Sequence, residues 1–324
     1  IDLRALASGE PGAIATTRNW SLPERTGENA SPEALLANLR QALVRRLSTS
    51  SPPAIFLSGG LDSSVVAALM AAEGLTRVAA FSIGFEESHL DESAHARRVA
   101  ALVGAEHHLI TLRDVEPSLV TSVIDQLDEP MADAATIPTY LLAREAGLVG
   151  RVVMTGDGAD ALLAGDHWFR RLKRLDALAS LPRPLRLVPA LMGARWRSLV
   201  EMLDLPPAAR YLKIREKWTP EGRQAIYARE FGRRVEAELT AGTYLLAPIA
   251  WRRGESVDAA IRLDSIHGLP EDLLMKADKM GMAHGVESRS PFLDQTFVEW
   301  AARLDIDLLL RGGRSKHLLK KAAE

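Results

Sequence analysis

In "SPEALLANLRQALVRRL", residues 31–47, Leu35, Leu36, Leu39 and Leu43 recur at three- and four-residue spacing. Such spacing lines one face of a helix. Ser31 is a capping residue, Pro32 takes the first helical position and Glu33 sits in the first turn, so the start is marked as well. From there the pattern changes to short apolar runs that alternate with helical spacing. "AIFL" (54–57) predicts a strand, and "DSSVVAALMAAEG" a helix stopped by Gly74. "RVAAFSIGF" (77–85) predicts a second strand, and "DESAHARRVAALVG" a helix stopped by Gly104. "EHHLITL" (106–112) is a third strand, "PTYLLAREAGL" (138–148) a helix, and "RVVMTG" (151–156) a fourth strand ending in glycine. Strands alternating with helices predict an α/β fold: a parallel sheet of about five strands with helices on both faces.

After about residue 166 strand-like runs disappear. "HWFRRLKRLDALASL" and "GRRVEAELTAGTYLL" read as helices, interrupted by "LPRPLRLVP" and "LPP", so a helical C-terminal region is expected. Its arginines alternate with leucines and acids, the pattern of a solvated helical surface rather than a nucleic-acid face. Residues 1–30 mix Gly, Pro, Ser and Thr without periodicity and read as a connector. Residues 31–324 read as one domain.

Composition narrows the function. Forty Lys and Arg against 42 Asp and Glu leave a net charge of −2 over 324 residues, which argues against a nucleic-acid partner. There is no cysteine, hence no disulfide, thiolate metal site or cysteine nucleophile in these residues, and a reducing cytoplasm is the expected location. No apolar run is long enough to predict a membrane span, and the first residues do not resemble a signal peptide. Because the chain starts at Ile1, we expect a piece of something longer. The eight histidines include no H-E-x-x-H pair. His107 and His108 are adjacent on a strand and face opposite sides, so structural roles are expected.

The candidate chemistry lies where the first strand meets its helix, in "SGGLDSS" (58–64). A strand ending in Gly59-Gly60 and feeding a helix places backbone N–H groups and the helix dipole where they bind phosphate. Ser58, Ser63 and Ser64 add hydroxyls, and Asp62 is a ligand type suited to a divalent cation. No Gly-Lys-Ser/Thr follows, so this is not the P-loop of kinases.

The full stretch resembles the pyrophosphate loop of enzymes that split ATP between its α and β phosphates. With "FSIGF", "TGDGAD", "LPEDLLMKADKMGMAHGVESRSPFLD" and "SKHLL" in order, the chain resembles the synthetase half of glutamine-dependent asparagine synthetases, and so the asparagine synthase family. The resemblance implies an adenine nucleotide α-hydrolase-like fold with ATP and Mg²⁺ as cofactors. Leu57, Ile83, Thr155 and Gly156 match positions that contact adenosine, and Asp62 and Asp160 match the two Mg²⁺ ligands. Lys316 matches the lysine that reaches the phosphates during adenylation. Lys276 and Asp278 fall in the best-matched stretch as substrate-binding candidates, and for Lys276 a structural role stands level with contact to the acceptor's carboxylate. Glu287 and Arg289 are expected to form a buried ion pair that orders the 291–294 turn.

The implied reaction is ATP-dependent amide synthesis through an acyl-adenylate: asparagine from aspartate, with ammonia derived from glutamine. A fused or partner glutaminase domain upstream, and compatibility with a homodimer, come with it. Two positions depart from the family pattern. Asp157, a catalytic candidate, stands where the family has glutamate, and Ala161 where it has a second acid. Relatives that close β-lactam rings also lack that second acid. A related amide or β-lactam-type synthetase of specialised metabolism therefore stays open, as does a non-catalytic ATP-binding module. An intact Lys316 favours an enzyme.

Overall fold

A computed structural model describes residues 17–47, 53–87, 91–182, 194–216, 218–241, 249–252 and 254–324. The first helix, α1 (Pro32–Arg46), begins where the sequence places it. The Ala34 N–H donates to Ser31 Oγ at 3.2 Å, and Leu35, Leu39 and Leu43 are buried. The chain then runs through β1 (Ala54–Phe56), α2 (Leu61–Ala72), β2 (Ala79–Phe85), α3 (Ser93–Val103) and β3 (Glu106–Leu112). It continues through α4 (Pro117–Ile124), α5 (Thr136–Gly147) and β4 (Val152–Met154). Gly104 closes α3 with a φ of 70°, the left-handed conformation that glycine supplies at helix ends.

The sheet is all parallel in the order β3-β2-β1-β4-β5. Its register sorts the apolar residues onto two faces. Ile55 pairs with Ala80 and Met154, and these belong to the large core beneath α1, α2 and α3. Their neighbours Ala54, Phe81 and Val153 face the other way and form a second core with Ala146 of α5. Both faces are therefore covered, as the strand–helix alternation predicts.

The fifth strand, β5 (Glu287–Arg289), departs from the sequence reading, which has no strand beyond residue 166. Its sequence is Glu-Ser-Arg, and it joins β4 through the register Val152↔Glu287 to Met154↔Arg289. A short, half-solvated edge strand carries no apolar run, so only its backbone pairing reveals it. The expected Glu287–Arg289 ion pair forms at 2.7 Å, but Glu287 is exposed, so the pair is not buried. The following 3₁₀ turn (Pro291–Leu293) is held by other groups. Arg45 Nε donates to Asp294 at 3.0 Å, Arg46 to the Leu293 carbonyl at 2.8 Å, and Ser290 Oγ to the Asp157 carbonyl at 2.6 Å.

Between β4 and β5 lie α6 (Ala159–Leu162), α7 (His167–Ala179), α8 (Ala194–Asp204), α9 (Pro207–Arg215), α10 (Pro220–Ile226), α11 (Arg229–Ala241) and α12 (Ser256–Leu263). A π-helical segment (Asp264–Leu274) leads directly into α13 (Met275–Met282). The helical reading of 232–246 holds as far as Ala241; the rest, and the "LPRPLRLVP" break beyond residue 182, lie outside the described residues. The chain closes with α14 (Gln295–Arg303), α15 (Ile306–Leu309) and α16 (His317–Ala322). Residues 17–30, within the stretch expected to be a connector, run without helix along α12 and α14. There Trp20 donates to Glu299 at 2.8 Å, and Arg262 to the Pro23 carbonyl at 2.6 Å. No described helix is long and apolar enough to cross a membrane.

Arg210 knits the helical region together from within. Fully buried, it donates to Asp176 Oδ1 at 2.6 Å and to the carbonyls of Met202 at 3.2 Å and Leu205 at 2.9 Å. Ser256 Oγ donates to the same carboxylate oxygen at 2.9 Å. Arg210→Met should leave that carboxylate and those carbonyls uncompensated and lower stability by about 3–5 kcal/mol, read from chemical denaturation. A change below about 1 kcal/mol would show that the clasp is dispensable.

Candidate active site

The sheet order places a switch point between β1 and β4. From β1 the chain winds outward through β2 and β3, then returns to the other side of β1. Crevices of this kind, beyond the carboxyl ends of strands, are where open α/β sheets bind ligands. The loops that open there are 57–60 after β1 and 155–158 after β4.

Two glycines let these loops close up. Gly59 has a φ of +80°, and a Cβ there would stand 2.4 Å from the backbone nitrogen of Ala96, at the start of α3. A Cβ on Gly156 would stand 2.8 Å from the Asp62 Cβ and 2.9 Å from the Ser63 nitrogen, so glycine alone allows the β4 loop to abut the α2 turn. Gly60 is the N-cap of α2 and supplies no side-chain cap, which leaves first-turn amides without intrahelical acceptors. The Ser58 N–H donates to Ser63 Oγ at 3.3 Å, fixing the loop against the helix. Ser64 turns away: its hydroxyl donates to the Gly60 carbonyl at 2.6 Å, and it does not line the cavity.

That cavity has a volume of about 480 Å³. Leu57, Phe81, Ile83, Leu142 and Val286 make an apolar wall at the sheet edge. Ser58, Asp62, Ser63, Thr155, Gly156, Asp157, Asp160 and Lys276 line it as well, so most of the sequence-derived candidates converge on one space. Asp278 is exposed on α13 and is not among the lining residues.

Lys316 is not among the lining residues but pairs with two acids that are. Its Nζ lies 2.5 Å from Asp62 Oδ2 and 2.6 Å from Asp160 Oδ1, although 254 residues separate it from Asp62 in sequence. Lys316 takes a φ of +50°, unusual for a residue with a side chain and costing about 1–2 kcal/mol. Gly165 passes directly over it, where a Cβ would come within 2.1 Å of the Lys316 Cε. Burial by itself would lower the pKa of this lysine, but the Asp62 and Asp160 carboxylates outweigh that and raise it, so the group stays cationic.

Burial pushes the Asp62 carboxyl upward, and the Lys316 ammonium works against that. The second oxygen of Asp62, Oδ1, is buried without a hydrogen-bond partner. A lone pair left in that position suits a hard cation. Among the described residues no group of three or more His, Cys, Asp or Glu side chains is disposed to hold a metal. An ion placed between Asp62 and Asp160 would therefore take its other oxygen ligands from phosphate and water.

Asp157 is half-buried, accepts from Thr155 Oγ1 at 2.8 Å, and has its pKa raised by desolvation against the opposing effects of Thr155 and Lys276. The Lys276 ammonium lies 2.5 Å from Asp133 Oδ2. His107 bonds Ser82 Oγ at 2.9 Å, while His108 stacks on Phe81, both structural arrangements.

The sequence reading missed the opposite wall. Asp166, Trp168, Arg215 and Asp264 line it, supplied by the helical region. The Arg215 guanidinium lies over the Trp168 ring, 4.0 Å from its centroid. The Trp168 N–H donates to Asp264 Oδ2 at 2.9 Å, and Tyr211 donates to the other oxygen of that carboxylate. In sequence these residues belong to an amphipathic helical pattern with no motif to mark them.

An all-parallel sheet with a glycine-fronted helix N-terminus and a carboxylate–lysine–carboxylate cluster at its switch point defines an α/β domain built around an anion cradle. The chain belongs to the asparagine synthase family, whose model matches residues 34–324. It is 31% identical over 280 residues to asparagine synthetase (glutamine-hydrolyzing) 1 of Bacillus subtilis (strain 168), a match covering 84% of this chain and 44% of that protein. It is 26% identical over 333 residues to asparagine synthetase (glutamine-hydrolyzing) 3 of the same organism, over 95% of this chain and 48% of that protein. It is also 25% identical over 347 residues to the amidase chry2 of Gibberella zeae, over 92% of this chain and 50% of that one. The chain thus spans about half the length of the curated relatives it matches.

Asp166 gives the site a measurable titration. Burial, then the charges of Asp160 and Asp264, push its pKa up to about 7, with Arg215 and Lys316 opposing. A folded-state pKa above the unfolded one means that the native protein holds this proton more tightly. The stability Asp166 contributes is therefore present below about pH 4 and is lost as pH rises towards 7. Asp166→Asn should show a melting-temperature advantage over the native protein that widens across that window and levels off above it. An advantage independent of pH would contradict this.

Proposed function

We propose that this domain catalyses ATP-dependent amide formation through an acyl-adenylate, with asparagine made from aspartate as the favoured reaction. The observation that carries this reading is the Lys316 ammonium bridging Asp62 and Asp160 beside the uncapped N-terminus of α2. A cation, two metal-type carboxylates and backbone amides at one point form a site for a polyphosphate under attack at its α-phosphorus. The relatives' names, asparagine synthetase (glutamine-hydrolyzing), support the choice of product.

In this reading adenosine lies against Leu57, Ile83, Thr155 and Gly156, and the phosphates lie along residues 58–63. An oxygen of the acceptor carboxylate attacks the α-phosphorus, and the bond to the β-phosphate oxygen breaks. The products are acyl-adenylate and pyrophosphate. Ammonia then adds to the acyl carbon and AMP leaves, with one proton released. Lys316, held cationic, offsets negative charge that builds on the departing pyrophosphate. Asp62 and Asp160 would hold Mg²⁺, which when bound neutralises phosphate charge. Asp157 is the polar group of the β4 loop nearest this chemistry in sequence, and Lys276 is available to an acceptor carboxylate. Trp168 and the π-helical segment line the same cavity and would limit access of water to the adenylate. Ammonia is proposed to come from glutamine through a fused or partner glutaminase domain, with residues 1–30 as the connector.

A second reading rests on Asp157 and Ala161. Ala161 lines the same cavity without a charge, and the Asp157 carboxylate is engaged by Thr155. A different acid would meet fewer fixed charges there. A panel of carboxylic acids assayed for pyrophosphate release separates the two readings. Tight ATP binding without turnover of any acid would leave a binding module.

Two variants test the assignments. Lys316→Ala should keep ATP affinity within a few-fold and lose about 10²–10³ in pyrophosphate release with aspartate and ammonium. An unchanged rate would remove Lys316 from the chemistry. Asp62→Asn should bind ATP with an affinity that no longer responds to Mg²⁺ in calorimetric titration. A full Mg²⁺ response in that variant would place the ion elsewhere.

A further inference from the structure

We propose that Arg215 selects the acceptor, by receiving a second carboxylate that is not the one adenylated. This assignment rests on the amide-synthetase reading above for the identity of the acceptor, but its test does not depend on turnover.

Arg215 is the last residue of α9 and lines the cavity. Its guanidinium lies over Trp168, 4.0 Å from the ring centroid. That ring is anchored in turn, since its N–H and the Tyr211 hydroxyl occupy the two oxygens of Asp264. The arginine is therefore positioned by a fixed platform. Among the described residues no hydrogen bond or ion pair engages its donors. An arginine with a free planar fork inside a cavity matches a carboxylate or phosphate bound by two parallel hydrogen bonds.

The surrounding charges decide between those two anions. The phosphate end already has its cation in Lys316. Asp166 feels the charges of Asp160, Asp264, Arg215 and Lys316, so it adds negative charge near both cations. A triphosphate reaching Arg215 would meet that charge. A ligand of mixed sign would not: its carboxylate pairs with Arg215 and its ammonium with the neighbouring acid. The chemical class this fits is an amino dicarboxylate, in which one carboxylate goes to Arg215 and the other to the α-phosphate.

The experiment measures binding of L-aspartate and L-glutamate, and of their decarboxylated counterparts β-alanine and 4-aminobutanoate. Each is titrated calorimetrically into the full chain loaded with α,β-methylene-ATP. The native protein should bind one of the dicarboxylates and discriminate against its counterpart. Arg215→Met should weaken that dicarboxylate by about 30-fold or more, the scale of losing one partner of a desolvated charge pair. Its decarboxylated counterpart and the nucleotide analogue should stay within about twofold, since neither meets the guanidinium. Arg215→Lys, which keeps the charge but not the fork, should fall between the two. Equal loss for both members of a pair would make the stack merely structural, and weakened nucleotide binding would assign Arg215 to phosphate. Failure of the native protein to bind either dicarboxylate would also overturn the inference. Binding as expected without pyrophosphate release from ATP would overturn the synthetase reading and leave the Arg215 assignment intact.

Discussion

Two carboxylates and one ammonium, drawn from three distant parts of the chain, hold the catalytic end of this domain together. Asp62 comes from the first turn of α2, Asp160 from the short α6 helix after β4, and Lys316 from the residue that begins α16. Without Lys316 the two acids would repel each other across a partly buried space. Without the acids a buried ammonium would be driven to lose its proton. The cluster is therefore mutually dependent, and everything that brings its parts together serves the site. The glycine at 156 lets two loops touch, the glycine at 165 lets the chain pass over the lysine, and the left-handed turn at Lys316 aims the side chain inward.

The sheet and the helical region divide the work. The sheet supplies a flat apolar edge and the amides of a helix N-terminus, which suit a nucleotide. The helical region supplies Asp166, Trp168, Arg215 and Asp264, a charged wall that suits a small polar acid. The buried Arg210–Asp176 clasp lies within α7 to α9, the helices that carry Trp168 and Arg215. Its four-sided hydrogen bonding to side chain and carbonyls makes those helices a rigid support rather than loose packing.

The sequence by itself determined the alternation of strands and helices as far as β4, the helix cap at Ser31, and the glycine-fronted loop after β1. Each of these is a local effect: periodicity, a capping hydroxyl, a backbone conformation that glycine allows. The motif set also determined the family, because residue types in a fixed order survive even where identity is low. Tertiary structure alone decided the rest. The strand Glu287–Arg289 has no apolar signature and exists because β4 offers it a free edge. Arg289 and Glu287 pair at the surface because an edge strand leaves one side to solvent. Asp278 and Lys276 lie two residues apart, yet the helix turns one outward and buries the other. The wall of Arg215 and Trp168 joins residues 47 positions apart through packing of α7 against α9, a contact that no local pattern encodes.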